Sequence, residues 1–393
     1  MIKSLIMKNK IILALMLSAL CFTSCSRETS GVETPSVLPP VTKESYEYKF
    51  SRNGLSTVDL EQGKEMIDLF YLLDNGMKIA SSQSRNYYER KGSVYALSMK
   101  DITAASSYYA SKTALQTTVR DEIDTMFNEL KTISDNSGSE AKKGQAGFVG
   151  YEEERRYVDA YGIETGQVLQ KALMGVALLD QVLNQHLGEE ILSDAQLQKD
   201  NSNLVMVSGK RYTALEHHWD RAYAYMGREN SKFTPLFIAN YLEKETKDMP
   251  FLAGIDERVY TAFYKGRKAV VDKDYTEMKK QAAIIRGELN KLLAARAIYY
   301  LKKGIPDLRE DVRNAFHGLS EAYGFIYALN AARKEDGSSY LSPAEINQIL
   351  AEFRGEHGFW EVDRLAADES TKGSLLNLSK QIADKFGFKV NEI

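Results

Sequence analysis

The sequence predicts an all-α protein built as two packed helical bundles. Apolar residues recur every three to four positions over long stretches, as in Val168, Leu169, Leu173, Val176, Leu179, Leu183 and Leu187; this is the stripe of an amphipathic helix. No serial alternation of strand and helix patterns appears, which argues against a parallel sheet. Only 7 prolines and 26 glycines interrupt 393 residues, so the helices can run long. Tyrosine, at 23, outnumbers phenylalanine and tryptophan together, and its ring with a polar tip suits helix edges that touch both core and water.

The chain opens with Lys3, Lys8 and Lys10 ahead of an apolar run from Ile11 to Leu20, followed by small residues up to Cys25. That order of basic, apolar and small residues is a secretory signal, too short to be a stable membrane span. Thr23 and Ser24 before Cys25 resemble a lipobox, which makes residues 1–24 a lipoprotein signal peptide and Cys25 the lipidation site. Cys21 falls inside the segment to be removed, so the mature chain keeps one cysteine and closes no intrachain disulfide. Residues 25–45, rich in Ser, Thr and Pro, read as a flexible tether to the membrane. The Tyr46–Phe50 alternation is strand-like but isolated.

Helical patterning begins after Ser56. Ser56 and Thr57 are expected to cap a helix carrying Leu60, Met66, Ile67, Phe70 and Leu73, and Asp101 another running through Leu115, Val119, Ile123, Phe127 and Leu130. The segment from Asp135 to Gly147, rich in Ser, Asn and Gly, is the clearest internal loop. A helix is expected from about Tyr161 to Leu187, a break from Asn201 to Gly209, and a helix again from Tyr212 to Met226. Further helices read over 256–271, 275–301, 306–332, 343–353 and 375–386, with Pro306 and Pro343 in first turns and Gly304 and Gly387 as C-terminal caps. Residues 46–230 are expected to form the first bundle and 231–393 the second.

The stretch Leu215-Glu-His-His-Trp-Asp-Arg-Ala-Tyr223 holds two of the five histidines. A second passage echoes it one hundred positions on: His217 answers His317, Ala222 answers Ala322, Tyr223 answers Tyr323, and Tyr225 stands opposite Phe325. At 100° per residue, Leu215, Trp219, Ala222 and Met226 form one apolar stripe, and Leu308, Val312, Ala315, Leu319, Ala322, Ile326 and Leu329 the other. His217 and His317 lie on the opposite sides of their helices, with Asp220, Arg221, Ser320 and Glu321. That face meets either solvent or a second interface. Gly324 favours the interface, because a glycine inside a helix costs about 1 kcal/mol relative to Ala and is understandable where another backbone comes close.

His217 with Asp220, three apart, and His317 with Glu321, four apart, can each project toward a shared ion. The candidate ligand-binding face is therefore His217, Asp220, Arg221, His317 and Glu321, and the candidate metal set His217, Asp220, His317 and Glu321, for a divalent metal or iron. Arg221 opposes a bare metal cluster and can instead pair with Asp220 or Glu321. His218 reads as a buried hydrogen-bonding histidine, and His186, near a helix C-terminus, as a structural one whose protonated form suits the helix dipole. Tyr299-Tyr300 and Tyr108-Tyr109 read as helix-edge packing. A zinc-peptidase helix, a Walker loop and a nucleophile elbow are absent, and no catalytic residue is assigned. A net charge of −3 offers no basic footprint for nucleic acid.

With Thr23-Ser24-Cys25, Tyr48-Lys-Phe-Ser-Arg-Asn-Gly54, Leu173–Leu183 and above all Ser208–Tyr223, the chain resembles an uncharacterised lipoprotein family of Bacteroides-type bacteria, a domain of unknown function. Its histidine helix is more distantly similar to the imelysin-like proteins, envelope proteins of two helical bundles linked to iron uptake. Their motif runs glycine, any residue, histidine, two residues, glutamate; here His217 and Asp220 match the histidine and the acid, while Leu215 stands at the glycine. The resemblance implies a lipid-anchored envelope protein, of the outer membrane, that binds a metal or an iron-linked ligand in a polar cleft between bundles. It also admits an imelysin-type metallopeptidase, or a carbohydrate-uptake lipoprotein partnering an outer-membrane transporter.

Overall fold

A computed structural model of the chain describes residues 47–82, 114–151, 154–232 and 234–393. The expected signal peptide, Cys25, the tether, the Asp101 cap and the Tyr108-Tyr109 pair lie outside the described residues. The architecture is mostly helical, with two small two-stranded sheets among the described residues. None of the described helices is long and apolar enough to cross a membrane.

The first sheet is a hairpin of β1 (Ser51–Arg52) and β2 (Leu55–Ser56), antiparallel with Ser51 opposite Ser56. Asn53 and Gly54 turn the chain with φ of 52° and 75°. Such an Asn-Gly pair is the usual hairpin turn, because both central residues need positive φ to match the strand twist. Helix α1 (Glu61–Ser82) follows. Ser56 and Thr57 do not cap it: the Asp59 carboxylate accepts the Glu61 N–H at 3.2 Å, and Thr57 is buried against a guanidinium described below. Ile67, Phe70 and Leu73 are buried as their spacing requires. Helix α2 (Ala114–Asp135) buries Val119, Ile123 and Leu130 and ends where the expected loop begins. The second hairpin, β3 (Gly147–Val149) with β4 (Arg156–Val158), leads into α3 (Thr165–Leu173).

The expected helix from Tyr161 to Leu187 starts later and changes pitch. Asp159 accepts the N–H groups of Tyr161 and Ile163, both at 2.8 Å, which holds these residues in a turn. After Leu173 the chain continues in wider π-type turns over Met174–Leu179 and Gln181–His186. Every residue from Ile163 to Leu183 is buried, so this segment is central rather than one-sided, and its polar side chains lie inside the protein.

Helix α4 (Ala214–Ala224) carries the first histidines, and α5 (Ile255–Asp272) packs beside it. The spine is α6 (Tyr275–Glu310), which packs against both α5 and α7 (Val312–Ala328). Here the structure corrects the expected boundary. Gly304 is not a C-cap and Pro306 does not start a helix; α6 runs through both. A Cβ at Gly304 would overlap Leu319 of α7, so the glycine serves a close approach between helices. Pro306 sits in the last turns, where its missing N–H removes one ladder bond. The real break is Asp311, with φ −148° and ψ 99°, whose carboxylate accepts the N–H groups of Arg313 and Asn314. The later helices α8 (Pro343–Arg354) and α9 (Leu375–Phe386) agree with the sequence reading: Ser342 and Glu345 close a capping box around Pro343, and Gly387 ends α9 in the left-handed region.

The echo between the histidine helices extends into packing. The Asp59 N–H, just before α1, donates to Asp220 of α4, and the Glu164 N–H, just before α3, donates to Ser320 of α7. A Cβ at Gly63 of α1 would overlap Ala224, and one at Gly324 of α7 would come 2.6 Å from the Val168 carbonyl oxygen of α3. Trp219 presses on Gly266 of α5 as Leu319 presses on Gly304 of α6. Two three-helix units, α1–α4–α5 and α3–α7–α6, thus repeat one set of contacts. Each unit draws helices from both sides of residue 230.

Candidate functional site

The N-terminus of α4 is fixed by Thr213 and Glu216, a capping box in which each side chain meets the other residue's backbone N–H. Leu215, Trp219, Ala222 and Met226 are fully buried, as the stripe requires. On the opposite side Glu216 and Asp220 are equally sealed, while His217 and Arg221 are half-buried. Asp220 accepts from Arg267 Nε at 2.9 Å, the Tyr48 hydroxyl at 3.1 Å and the Asp59 N–H at 3.1 Å. Glu216 accepts from Arg267 Nη1 at 3.1 Å and Arg52 Nη2 at 2.8 Å. Arg267 completes its fork on the Thr57 carbonyl and hydroxyl, both at 3.3 Å. Arg267, Glu216 and Asp220 have no exposed surface. Burial pushes the Asp220 carboxyl up to about 6 against the opposing pull of Arg267.

His217 stacks on Tyr212 with ring centroids 4.5 Å apart, and its buried Nδ1 has no hydrogen-bond partner among the described residues. Burial, then the Arg221 charge, lowers its imidazole to about 4. His218 is likewise lowered to about 4 by burial and Arg221, and its Nδ1 lies 3.0 Å from His186 Nδ1, in line with its expected hydrogen-bonding role. His186 differs from expectation: burial holds its imidazole well below the usual range, so it is neutral rather than a cation on a helix dipole. Arg221 pairs with neither Asp220 nor Glu321, whose partners are Arg267 and Lys171.

On α7 the corresponding face opens. His317 Nδ1 lies 2.8 Å from Glu164 Oε2 and 2.8 Å from Arg156 Nη1. Its Nε2 is 4.0 Å from Glu321 Oε1, so the four-residue spacing does bring these two together. Lys171 Nζ of α3 stands 2.9 Å from Glu321. Burial works to raise the Glu321 carboxyl, but the Lys171 ammonium and then His317 hold it down to about 2. Lys171 also donates to Gln170, whose amide donates to Asp74 of α1.

These groups line a cavity of about 440 Å³ together with Gln167, Asn240, Tyr241 and Tyr300. Burial raises the hydroxyls of Tyr241 and Tyr300, with the Glu321 charge adding to it. Gln167 is 7% exposed and lines the cavity. Tyr300, expected at a helix edge, is instead a wall of this cavity.

The structure therefore keeps His317 and Glu321 in one candidate site and puts His217, Asp220 and Arg221 elsewhere, with separate partners. The four expected metal donors do not fit a metal ion. Asp220 is matched by Arg267, Glu321 by Lys171, and His317 lies against a guanidinium. Among the described residues no group of three or more His, Cys, Asp or Glu could hold a metal. Sequence reasoning missed Gln167, Gln170 and Lys171. Their signal was present as a polar run, Gln167 to Lys171, within a segment otherwise so apolar that it had to be central.

A family model described as Domain of unknown function (DUF4856) matches residues 45–389. No curated protein and no solved structure matches the chain.

Proposed function

The chain belongs to the DUF4856 family, and on that premise we propose that it is a binding protein of the cell envelope holding a small, neutral, hydroxyl-rich ligand of the sugar class beside Lys171 and Glu321. The observation that carries this is the cavity of about 440 Å³ whose wall brings Gln167, Gln170, Lys171, Asn240 and Glu321 together. Hydroxyl groups both donate and accept, and the wall offers both: amides at Gln167, Gln170 and Asn240, an acceptor at Glu321, a donor at Lys171. Lys171 and Glu321 pair at 2.9 Å, and the further carboxylates of the wall, Asp74 and Glu245, accept from the amides of Gln170 and Asn240. Tyr71, Tyr241 and Tyr300 add flat apolar surfaces against which a sugar ring can lie.

Anchoring belongs to the same proposal. The basic, apolar and small-residue order ending at Cys25 supports a lipid on that cysteine; the outer membrane as location and a transporter as partner are carried with it as parts of the proposal. The imelysin-like reading is retained for helix packing alone, since Asp220 is sealed against Arg267 and His217 stacks on Tyr212. A glycan array followed by calorimetry tests the ligand class. We expect saturable binding of at least one neutral saccharide, weakened tenfold or more by Gln167→Ala at unchanged melting temperature. Absence of any saccharide binding, or full affinity in Gln167→Ala, would remove the reading.

A further inference from the structure

We propose that a second cavity, on the other face of α3, binds an organic ammonium ion. Thr165 and Val168 wall a separate space of about 460 Å³ between α2, α3, α7 and α8. Four carboxylates line it, Asp121, Glu122, Glu129 and Asp159, against a single guanidinium, Arg354.

Part of this set is already used. Glu122 accepts from the Tyr327 hydroxyl at 2.7 Å and from Asn347 at 2.9 Å. One oxygen of Asp159 accepts two backbone N–H groups, leaving the other for a ligand. Arg354 lies over the Tyr161 ring, 4.9 Å from its centroid, and forms no ion pair among the described residues, though its charge acts on both Glu129 and Asp159. Burial holds the Asp159 carboxyl up at about 7, against its backbone hydrogen bonds and with Glu129 adding to the rise. A group in that state gains from a cation placed against it.

A second, independent observation concerns a hydroxyl rather than the acids. Thr165 is 2% exposed, lines this cavity, and its Oγ1 has no hydrogen-bond partner among the described residues. A hydroxyl beside carboxylates is an acceptor for an ammonium N–H. The Tyr161 and Tyr323 side chains line the cavity beside the acids and supply apolar contact for the alkyl part of an amine. The cavity of about 460 Å³ is far larger than a bare metal ion and admits an alkylammonium.

The test is calorimetric titration of the full chain with n-butylamine hydrochloride, with n-butanol as the uncharged control. We expect saturable binding of the amine but not the alcohol at pH 8, weakened several-fold at pH 6, where Asp159 is protonated; Glu129, Arg354 and Tyr323 are the groups that face it. Glu129→Gln and Thr165→Val should each weaken binding threefold or more, and the double variant with Asp159→Asn tenfold or more, with circular dichroism reporting the fold. Gln167→Ala, in the other cavity, should leave amine affinity unchanged. No amine binding at millimolar concentration, equal binding of butanol, undiminished affinity in a folded double variant, or loss of affinity in Gln167→Ala would each overturn the proposal.

Discussion

Helices α4 and α7 are built to one plan and used differently. Each receives a backbone N–H at the same position, Asp220 in one and Ser320 in the other. Each presses a large side chain onto a glycine of its neighbour, Trp219 on Gly266 and Leu319 on Gly304. The residue after that glycine is Arg267 in α5 but Ile305 in α6. Arg267 fixes Asp220 inside the interface, and α4 is closed. In α7 the acid comes one residue later, at Glu321, where Arg221 stands in α4. One position is about 100° of helix rotation, which turns the acid out of the interface toward Lys171 and a cavity. A displacement of one residue thus separates a sealed ionic joint from an open polar site.

The sealed joint should be the costlier to break. Arg267→Met leaves Asp220 and Glu216 buried without their cation, and we expect a loss of about 3–5 kcal/mol in denaturant unfolding. Lys171→Met removes the α7 counterpart next to a cavity that water can enter, and should cost about 1–3 kcal/mol. Equal losses would mean that the two regions are not differently sealed.

The paired glycines sharpen the comparison. Ala at Gly266 would collide with the rigid Trp219 ring, and overpacking of about 1–3 kcal/mol outweighs the roughly 1 kcal/mol Ala gains in a helix interior. Ala at Gly304 meets the end of Leu319, a flexible side chain, and thermal unfolding should show a smaller loss for it.

Acid should dismantle the two regions in sequence. His217 and His218 are held at about 4, below the ordinary 6.5. The fold prefers them neutral, so their contribution is present above pH 6.5 and lost as pH falls toward 4. Glu321, held at about 2 against an ordinary 4.5, contributes above pH 4.5 and loses that only as pH falls further. Amide exchange at pH 5 should show α4 losing protection before α7, and the reverse order would count against the assignment. Smallest of all, Gln167→Ala should change stability by about 0.5 kcal/mol or less while weakening saccharide binding.

Several local features were legible from sequence alone. The first turn at Pro343, the buried residues Ile67, Phe70 and Leu73 of α1 and Ala315, Leu319, Ala322 and Ile326 of α7, and the close backbone at Gly324 follow from side-chain type and helical spacing, whereas Val312, expected on the same stripe, is exposed. Asn53-Gly54 is a hairpin signal as well, though the strands it joins are only two residues long. Gly304 and Pro306 misled because a glycine and a proline in succession are the usual sign of a helix end, whereas here the packing of α6 on α7 outweighs their local preference.

The sequence by itself determined which segments are helical and which faces are apolar, because those depend on neighbours three and four residues apart. Which charges meet was decided by tertiary structure alone: Arg267 finds Asp220 from another helix, and Lys171 finds Glu321 across the α3–α7 crossing. The crossing is set by Gly324 against the Val168 carbonyl, and its angle and depth place a charge against its partner in a way no sequence spacing encodes.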